Sequence, residues 1–322
     1  MTRSRRRIFY ALPRDRGPFG GIRNMFDHVR LLRAHGYDAC AWSHLGGAEA
    51  YPWMPYRPEV MHFPTGSRLA LDHDLVVLAE MNVEQAASLG DYPYKLAFCQ
   101  QLFDLEQSIV AEPARWNIAN VMVLSPLIAR HIARQFGYVP DLVVPMAIDT
   151  ALFHPLATPK VPRILALPRK RPDELPLIRQ LFAARFPYYA EIPWDVLDGV
   201  NQAEIAAAMQ RDAVFLSLSR REGLGMPPLE AMACACLVAG YHGTGGLAYA
   251  TAANGDWVDD EDGIEALVLA LGRTTGAALA GTPRAAERVA AGFSTAAEWS
   301  EVALAAALLP LIASWHAQVG GG

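Results

Sequence analysis

The residue types best able to do chemistry are concentrated in one run, Ser217-Leu218-Ser219-Arg220-Arg221-Glu222-Gly223-Leu224-Gly225-Met226-Pro227-Pro228-Leu229-Glu230-Ala231-Met232-Ala233. The apolar residues Ala213–Leu218 predict a buried strand that ends at Ser219. A glycine-bearing loop carrying Glu222 follows, and a helix then opens with proline in its first turn. Such a helix start points the N–H groups of Gly223 to Met226 outward, where they suit phosphate oxygens. Glu222 lies in the loop and Glu230 one to two turns into the helix. Two carboxylates repel a phosphate but accept hydrogen bonds from hydroxyls. A ligand carrying both phosphates and many hydroxyls, a sugar nucleotide, satisfies both halves of the pattern. The plainer alternative is a glycine turn before a helix with two surface acids.

A second group is Arg169-Lys170-Arg171, just past the predicted strand Arg163–Leu167. Only three of the 28 basic residues are lysine, so Lys170 stands out in an arginine-dominated chain. The triplet is either a cationic clamp for a departing phosphate or a solvated charge run, and the sequence leaves open which of the three would face the phosphates. Gly20, Gly21 and Asn24 sit at the start of a predicted helix, and Gln100 and Gln101 follow a buried strand. His44, His62 and His242 are further candidates, although a lone histidine is more often structural. Asp72-His73-Asp74 has the D-x-D spacing of a cation site, but its place ahead of a buried strand favours capping. The run Asp259–Asp262 reads as a helix N-terminal cap.

These residues need elements to hold them. In the first half, strands at 7–12, 38–42, 74–79, 94–99, 120–125 and 142–144 alternate with helices at 22–35 and 126–136. A proline-bearing linker covers 149–162. A second alternation follows, with strands at 163–167, 194–197, 213–218 and 237–240 and helices at 173–186, 202–210, 226–235 and 261–271. The tail 285–317 is mostly helical. The fold class is α/β, two doubly wound sheets of Rossmann-like type, which places ligands at the C-terminal ends of strands and in a cleft between the halves. The expected domains are 1–155 and 156–295, with 296–322 a helix crossing back to the first domain.

Composition removes other classes. The 322 residues are 52% hydrophobic and 19% charged, so large cores are affordable and disorder is not expected. A net charge of −5 gives no general attraction to nucleic acid. Mean hydropathy is +0.13, yet no run of about 18 uninterrupted apolar residues occurs. The longest, Val302–Ala313, contains Pro310. The five apolar residues after Arg7 are too few for a secretory leader. The four cysteines have no C-x-x-C spacing, which predicts reduced thiols and a cytoplasmic location. The Arg3–Arg7 cluster is a solvated terminus or a peripheral contact with an anionic membrane face.

Glu222 and Glu230 form an E-x7-E pattern, and the stretch 213–246, including Ala231-Met232-Ala233-Cys234 and Gly240 to Gly246, resembles the retaining glycosyltransferases of family four, of GT-B fold, as found in bacterial polysaccharide and glycolipid synthesis. Gly20-Gly21-Ile22 with Asn24 resembles the family's N-terminal glycine loop. Val144–Asp149 through Pro155 resembles its interdomain stretch, and Leu165–Lys170 its diphosphate-binding strand. The resemblance implies that Glu230 binds the ribose and Glu222 the donor sugar. It places the amides of Gly223, Leu224 and Gly225 at the sugar or phosphate. Arg169 and Lys170 would neutralise the diphosphate without a bound metal or other cofactor. Gly20 and Gly21 would admit the donor closely, with Gln100, Gln101 and Asn24 as sugar or acceptor contacts. The partners implied are a nucleoside-diphosphate sugar and a glycan or lipid-linked acceptor.

Two departures from the family pattern stand out. The basic pair is adjacent rather than several residues apart, and only about 45 residues separate Ile164 from Val214, which abbreviates the C-terminal domain by a βα unit and leaves base contacts near Val196–Val200. The alternative activities are a sugar-nucleotide epimerase on the same fold, for which only Glu222 is well placed, and a non-catalytic glycosyltransferase-like subunit.

Overall fold

A computed structural model describes residues 6–17, 19–64, 66, 70–140 and 142–320. The chain divides into two compact units, Met1–Ala147 with Val302–Gly322, and Ile148–Glu301.

The first unit is built on seven strands: β1 (Arg7–Ala11), β2 (Asp38–Ser43), β3 (Val60–His62), β4 (Leu75–Ala79), β5 (Lys95–Cys99), β6 (Asn120–Val123) and β7 (Leu142–Val143). They pair in the order β3-β2-β1-β4-β5-β6-β7, every pair parallel. β4 and β5 are buried along their whole length, as continuous apolar runs covered on both faces must be. The helices are α1 (Gly20–Ala34), α2 (Val83–Leu89) and α3 (Pro126–Phe136). α3 coincides with the range read from sequence because its signals are local. Ser125 caps it by accepting from the Ile128 N–H, Pro126 occupies the first turn, and Gly137 ends it in the left-handed region.

The second unit has β8 (Val161–Ala166), β9 (Trp194–Val196), β10 (Asp212–Glu222), β11 (Leu237–Thr244) and β12 (Gly255–Val258), all parallel in the order β12-β11-β10-β8-β9. Its helices are α4 (Leu175–Arg185), α5 (Gln202–Arg211), α6 (Met226–Ala233), α7 (Gly263–Ala280) and α8 (Pro283–Ala297), and α9 (Glu301–Gly320) follows. The order changes sides between β8 and β10, since the chain leaves β8, forms β9 at one edge and returns as β10 on the other side of β8. Ligands bind such sheets at that point, outside the strand ends.

Three differences from the sequence reading have physical causes. β3, α2 and β12 were not expected. β3 and β12 are edge strands of three and four residues with a single neighbour, too short for a periodic pattern. β10 does not stop at Ser219 but runs on to Glu222, and β11 extends through the glycines to Thr244. The helix expected at 261–271 extends to Ala280 as α7. Together with Asp260–Asp262 it is long and apolar enough to cross a membrane, but Leu267, Val268, Ala270 and Leu271 pack with Ile164, Leu216 and Tyr241 in the core of this unit. α9 continues through Pro310. Arg3 and Arg5 lie outside the described residues. Arg6 donates to the His316 carbonyl, and Arg7 pairs with Asp74 at 2.7 Å. Asp74 also accepts the Arg7 backbone N–H, a capping role. All four cysteines are free thiols.

Beneath the strand ends of the first unit, Glu80 is 7% exposed, and burial pushes its carboxyl up to about 7 although the Gln100 N–H donates to it at 3.2 Å. The folded state therefore holds this proton to higher pH than the unfolded state, and stability falls as pH rises from about 4.5 to about 7. Glu80→Gln removes that loss. The variant is expected to match the native protein in thermal or urea unfolding at pH 4.5. It is expected to exceed it by up to about 3 kcal/mol at pH 7.5. A stability difference independent of pH would contradict this assignment.

Candidate functional site

The end of β10 carries a bulge. Ser219 pairs with His242 and Glu222 with Thr244, so three steps on β10 meet two on β11. Arg221 takes up the extra residue with φ +48°. Glu222 is thus held in the sheet register rather than in a loop as expected. Gly225 then turns at φ +83° to open α6. Few residues other than glycine tolerate that conformation, and a Cβ here would lie 3.3 Å from the Tyr249 hydroxyl. The stretch 240–246 is β-strand and 3₁₀ turn rather than a free loop. Gly245 presses on the acid turn so closely that a Cβ would meet the Glu222 carbonyl at 2.4 Å.

Between β10 and α6, the N–H groups of Gly223, Leu224 and Gly225 donate to no backbone or side-chain acceptor among the described residues. Leu224 is buried at 3% exposure. Glu230 sits one turn into α6 and is 6% exposed.

β8 delivers the basic triplet next to this turn. Residues Pro168–Lys170 form a 3₁₀ turn at its end, where successive side chains diverge by about 120°. The three cations consequently separate. Lys170 reaches Glu222, with Nζ 3.4 Å from Oε1. Arg169 is exposed and has no ion-pair partner among the described residues. Arg171 turns inward: it pairs with Glu174 at 2.8 Å and with Asp260, donates to the Ser219 carbonyl, and stacks over Tyr241 at 4.0 Å. Of the three, Arg171 is the one buried and engaged by the protein's own groups.

The acidic run 259–262 closes a capping box between Asp259 and Asp262. His242 is held by Asp259, with Nε2 2.5 Å from Oδ1, while its Nδ1 accepts the Thr244 N–H. His44 is engaged by the Phe63 carbonyl, and His62 is exposed.

In the first unit, Gly20 and Gly21 open α1, and two of the other candidates, Gln100 and Asn24, meet there. Gln100 donates from Nε2 to the Gly21 carbonyl at 3.2 Å and accepts from Asn24 Nδ2 at 2.9 Å. Asn24 is fully enclosed, so its contact is with Gln100 and not with solvent. Gln101 is half-buried, and its carbonyl accepts the Cys99 thiol. Sequence reasoning missed Glu80, although it follows β4 as Gln100 follows β5 and could have been found by that parallel. It also missed Tyr249, for which no local signal exists. Among the described residues no three His, Cys, Asp or Glu side chains converge as a metal-binding set.

The division of the basic triplet predicts opposite responses. Arg171→Ala leaves the Ser219 carbonyl and two acids without their cation and should cost about 2 kcal/mol in urea unfolding. Arg169→Ala should change stability by less than about 0.5 kcal/mol. Equal effects would contradict the division.

Comparison with known proteins agrees with this geometry. Residues 194–272, which contain β10, the acid turn and α6, match the family described as glycosyl transferases group 1. An alpha-1,6-glucosyltransferase of Actinobacillus pleuropneumoniae serotype 7 (strain AP76) is 27% identical over 160 residues, a match that spans 49% of this chain and 43% of that relative. Among solved structures, sucrose-phosphate synthase from Thermosynechococcus elongatus superposes with a TM-score of 0.71 at 14% identity, covering 98% of this chain and 100% of that one. Anabaena HepE in complex with UDP and glucose gives 0.65 at 13% identity, covering 96% and 100%. The chain shares the GT-B fold of these structures, and residues 194–272 of its second unit are similar to the glycosyl transferases group 1 family.

Proposed function

We propose that this protein is a retaining glycosyltransferase that moves a hexose from a nucleoside-diphosphate donor to a glycan or lipid-linked acceptor. The observation that carries the reading is the juxtaposition of Lys170 and Glu222, 3.4 Å apart at the ends of neighbouring strands, beside three unpaired amides at the start of α6. HepE, of the same fold, was solved with UDP and glucose, and UDP is accordingly the first donor base to test here.

In this reading Glu230 accepts hydrogen bonds from the ribose and Glu222 from the transferred sugar. Lys170 lies between the sugar-binding acid and the diphosphate and shares its charge between them. The bond from the anomeric carbon to the phosphate oxygen breaks, and the diphosphate gains negative charge. Lys170, the exposed Arg169 and the N-terminus of α6 stabilise that charge, and none of them needs to reorganise as it develops. The acceptor hydroxyl attacks from the face the diphosphate leaves, which retains configuration, and its proton passes to the departing phosphate oxygen. The cations that do this work are the protein's own, so no metal or other cofactor is required. The base is assigned to the end of β9, where Val196 is 40% exposed at the edge of the sheet. The acceptor is assigned to the strand ends of the first unit, near Gln100. The free thiols fit a cytoplasmic setting.

Glu230→Gln is expected to weaken UDP binding about 10- to 100-fold in calorimetry, the value of a charged hydrogen bond to buried hydroxyls. Lys170→Ala is expected to lower turnover about 100-fold with a smaller change in donor KM, measured as nucleoside diphosphate released. Unchanged nucleotide affinity in the first variant, or isomerised donor without acceptor in the native protein, would overturn the proposal.

A further inference from the structure

The turn that faces the phosphates cannot hold itself in place. Gly225 caps α6 without a side chain, so no hydroxyl or carboxylate of its own organises the helix start, and glycine leaves the backbone free to rotate. Its carbonyl is instead bound from 24 residues away: the Tyr249 hydroxyl donates to it at 2.6 Å. The peptide group is planar and trans, so the carbonyl of Gly225 and the N–H of Met226 point in opposite directions. Anchoring the carbonyl on Tyr249 therefore aims the Met226 N–H the other way, out of the helix start.

Tyr249 is itself braced. It is 6% exposed, with its ring edge-on to Trp257 and Trp299. Asn254 donates to the Tyr249 carbonyl at 2.8 Å and to Thr295 Oγ1 on α8 at 3.0 Å, and it accepts from Trp257 Nε1 at 2.9 Å. A chain of hydrogen bonds thus runs from α8 through Asn254 and Tyr249 to the first peptide of α6. Burial and the neighbouring carboxylates Glu222 and Glu230 raise the phenol pKa, which keeps it a donor throughout the working pH range.

We infer that Tyr249 is a positioning residue for the proposed donor site: by holding the Gly225 carbonyl, it presets the Met226 N–H as a phosphate donor. The inference rests on the glycosyltransferase reading above. Tyr249 touches neither sugar nor phosphate and acts through the turn alone.

Tyr249→Phe keeps the buried ring and deletes only the hydroxyl. UDP and uridine are titrated against the full chain by calorimetry or ligand-observed NMR. UDP affinity should fall about 5- to 10-fold while uridine affinity stays unchanged, because only the phosphate contact is loosened. The same deletion in the first unit, Tyr10→Phe, removes the contact to His28 and should leave both affinities as they are. In ligand-free crystals of Tyr249→Phe, the Gly225–Met226 peptide should be rotated or split between orientations. Equal losses for UDP and uridine, or a matching loss in Tyr10→Phe, would mean general loosening and overturn the inference, as would undiminished UDP affinity. If the native protein binds no UDP, the donor reading fails. The peptide orientation then decides the positioning claim by itself, and an unrotated peptide overturns it.

Discussion

β10 must leave its sheet while still paired to β11, and the second unit's site depends on how it does so. The bulge between Ser219 and Glu222 keeps the acid in register with Thr244 while shifting the strand by one residue. Without that shift the alternation of a strand would send Glu222 to the other face. With it, the carboxylate comes out on the side where β8 delivers Lys170. The left-handed Gly225 can then begin α6 at once, so that a sheet edge, a cation and a helix N-terminus share one small volume. The close approach of Gly245 to the Glu222 carbonyl follows from the same geometry.

Charge is allotted by the same logic of position. Three consecutive basic residues cannot all face one ligand from a 3₁₀ turn, and here they are divided among a buried structural role, a paired role at the acid turn and an exposed one. Arg171 can be interior because every face of its guanidinium is occupied by acids, a carbonyl or an aromatic ring. Uncompensated, it would be prohibitively costly to bury.

The first unit carries a different constraint, two buried titratable groups of opposite behaviour. Burial raises Glu80 to about 7 and lowers His28 to about 3, where the imidazole lies between Tyr10 and Phe98. Glu80 makes stability fall as pH rises between about 4.5 and 7. His28, kept neutral when folded, makes it rise between about 3 and 6.5. Over the shared range the two slopes oppose each other, and both groups remain uncharged in the fold.

Much of this was legible in the residues alone. Continuous apolar runs such as Leu75–Ala79 and Ala213–Leu216 read as strands covered on both faces, and the cap, proline and glycine around α3 mark its ends without outside help. The glycine turn and the prolines after Met226 mark the start of α6, because those signals act over a few residues. Tertiary structure decided the rest. Edge strands of three or four residues exist only because a neighbour offers hydrogen bonds, so β3 and β12 left no pattern. Whether Arg169, Lys170 or Arg171 is available depends on Asp260, a residue 89 positions from Arg171. Tyr249 matters through a carbonyl 24 residues earlier. Periodicity and capping are properties of a segment, whereas the partner of a buried charge or an orphaned carbonyl is a property of the packed chain.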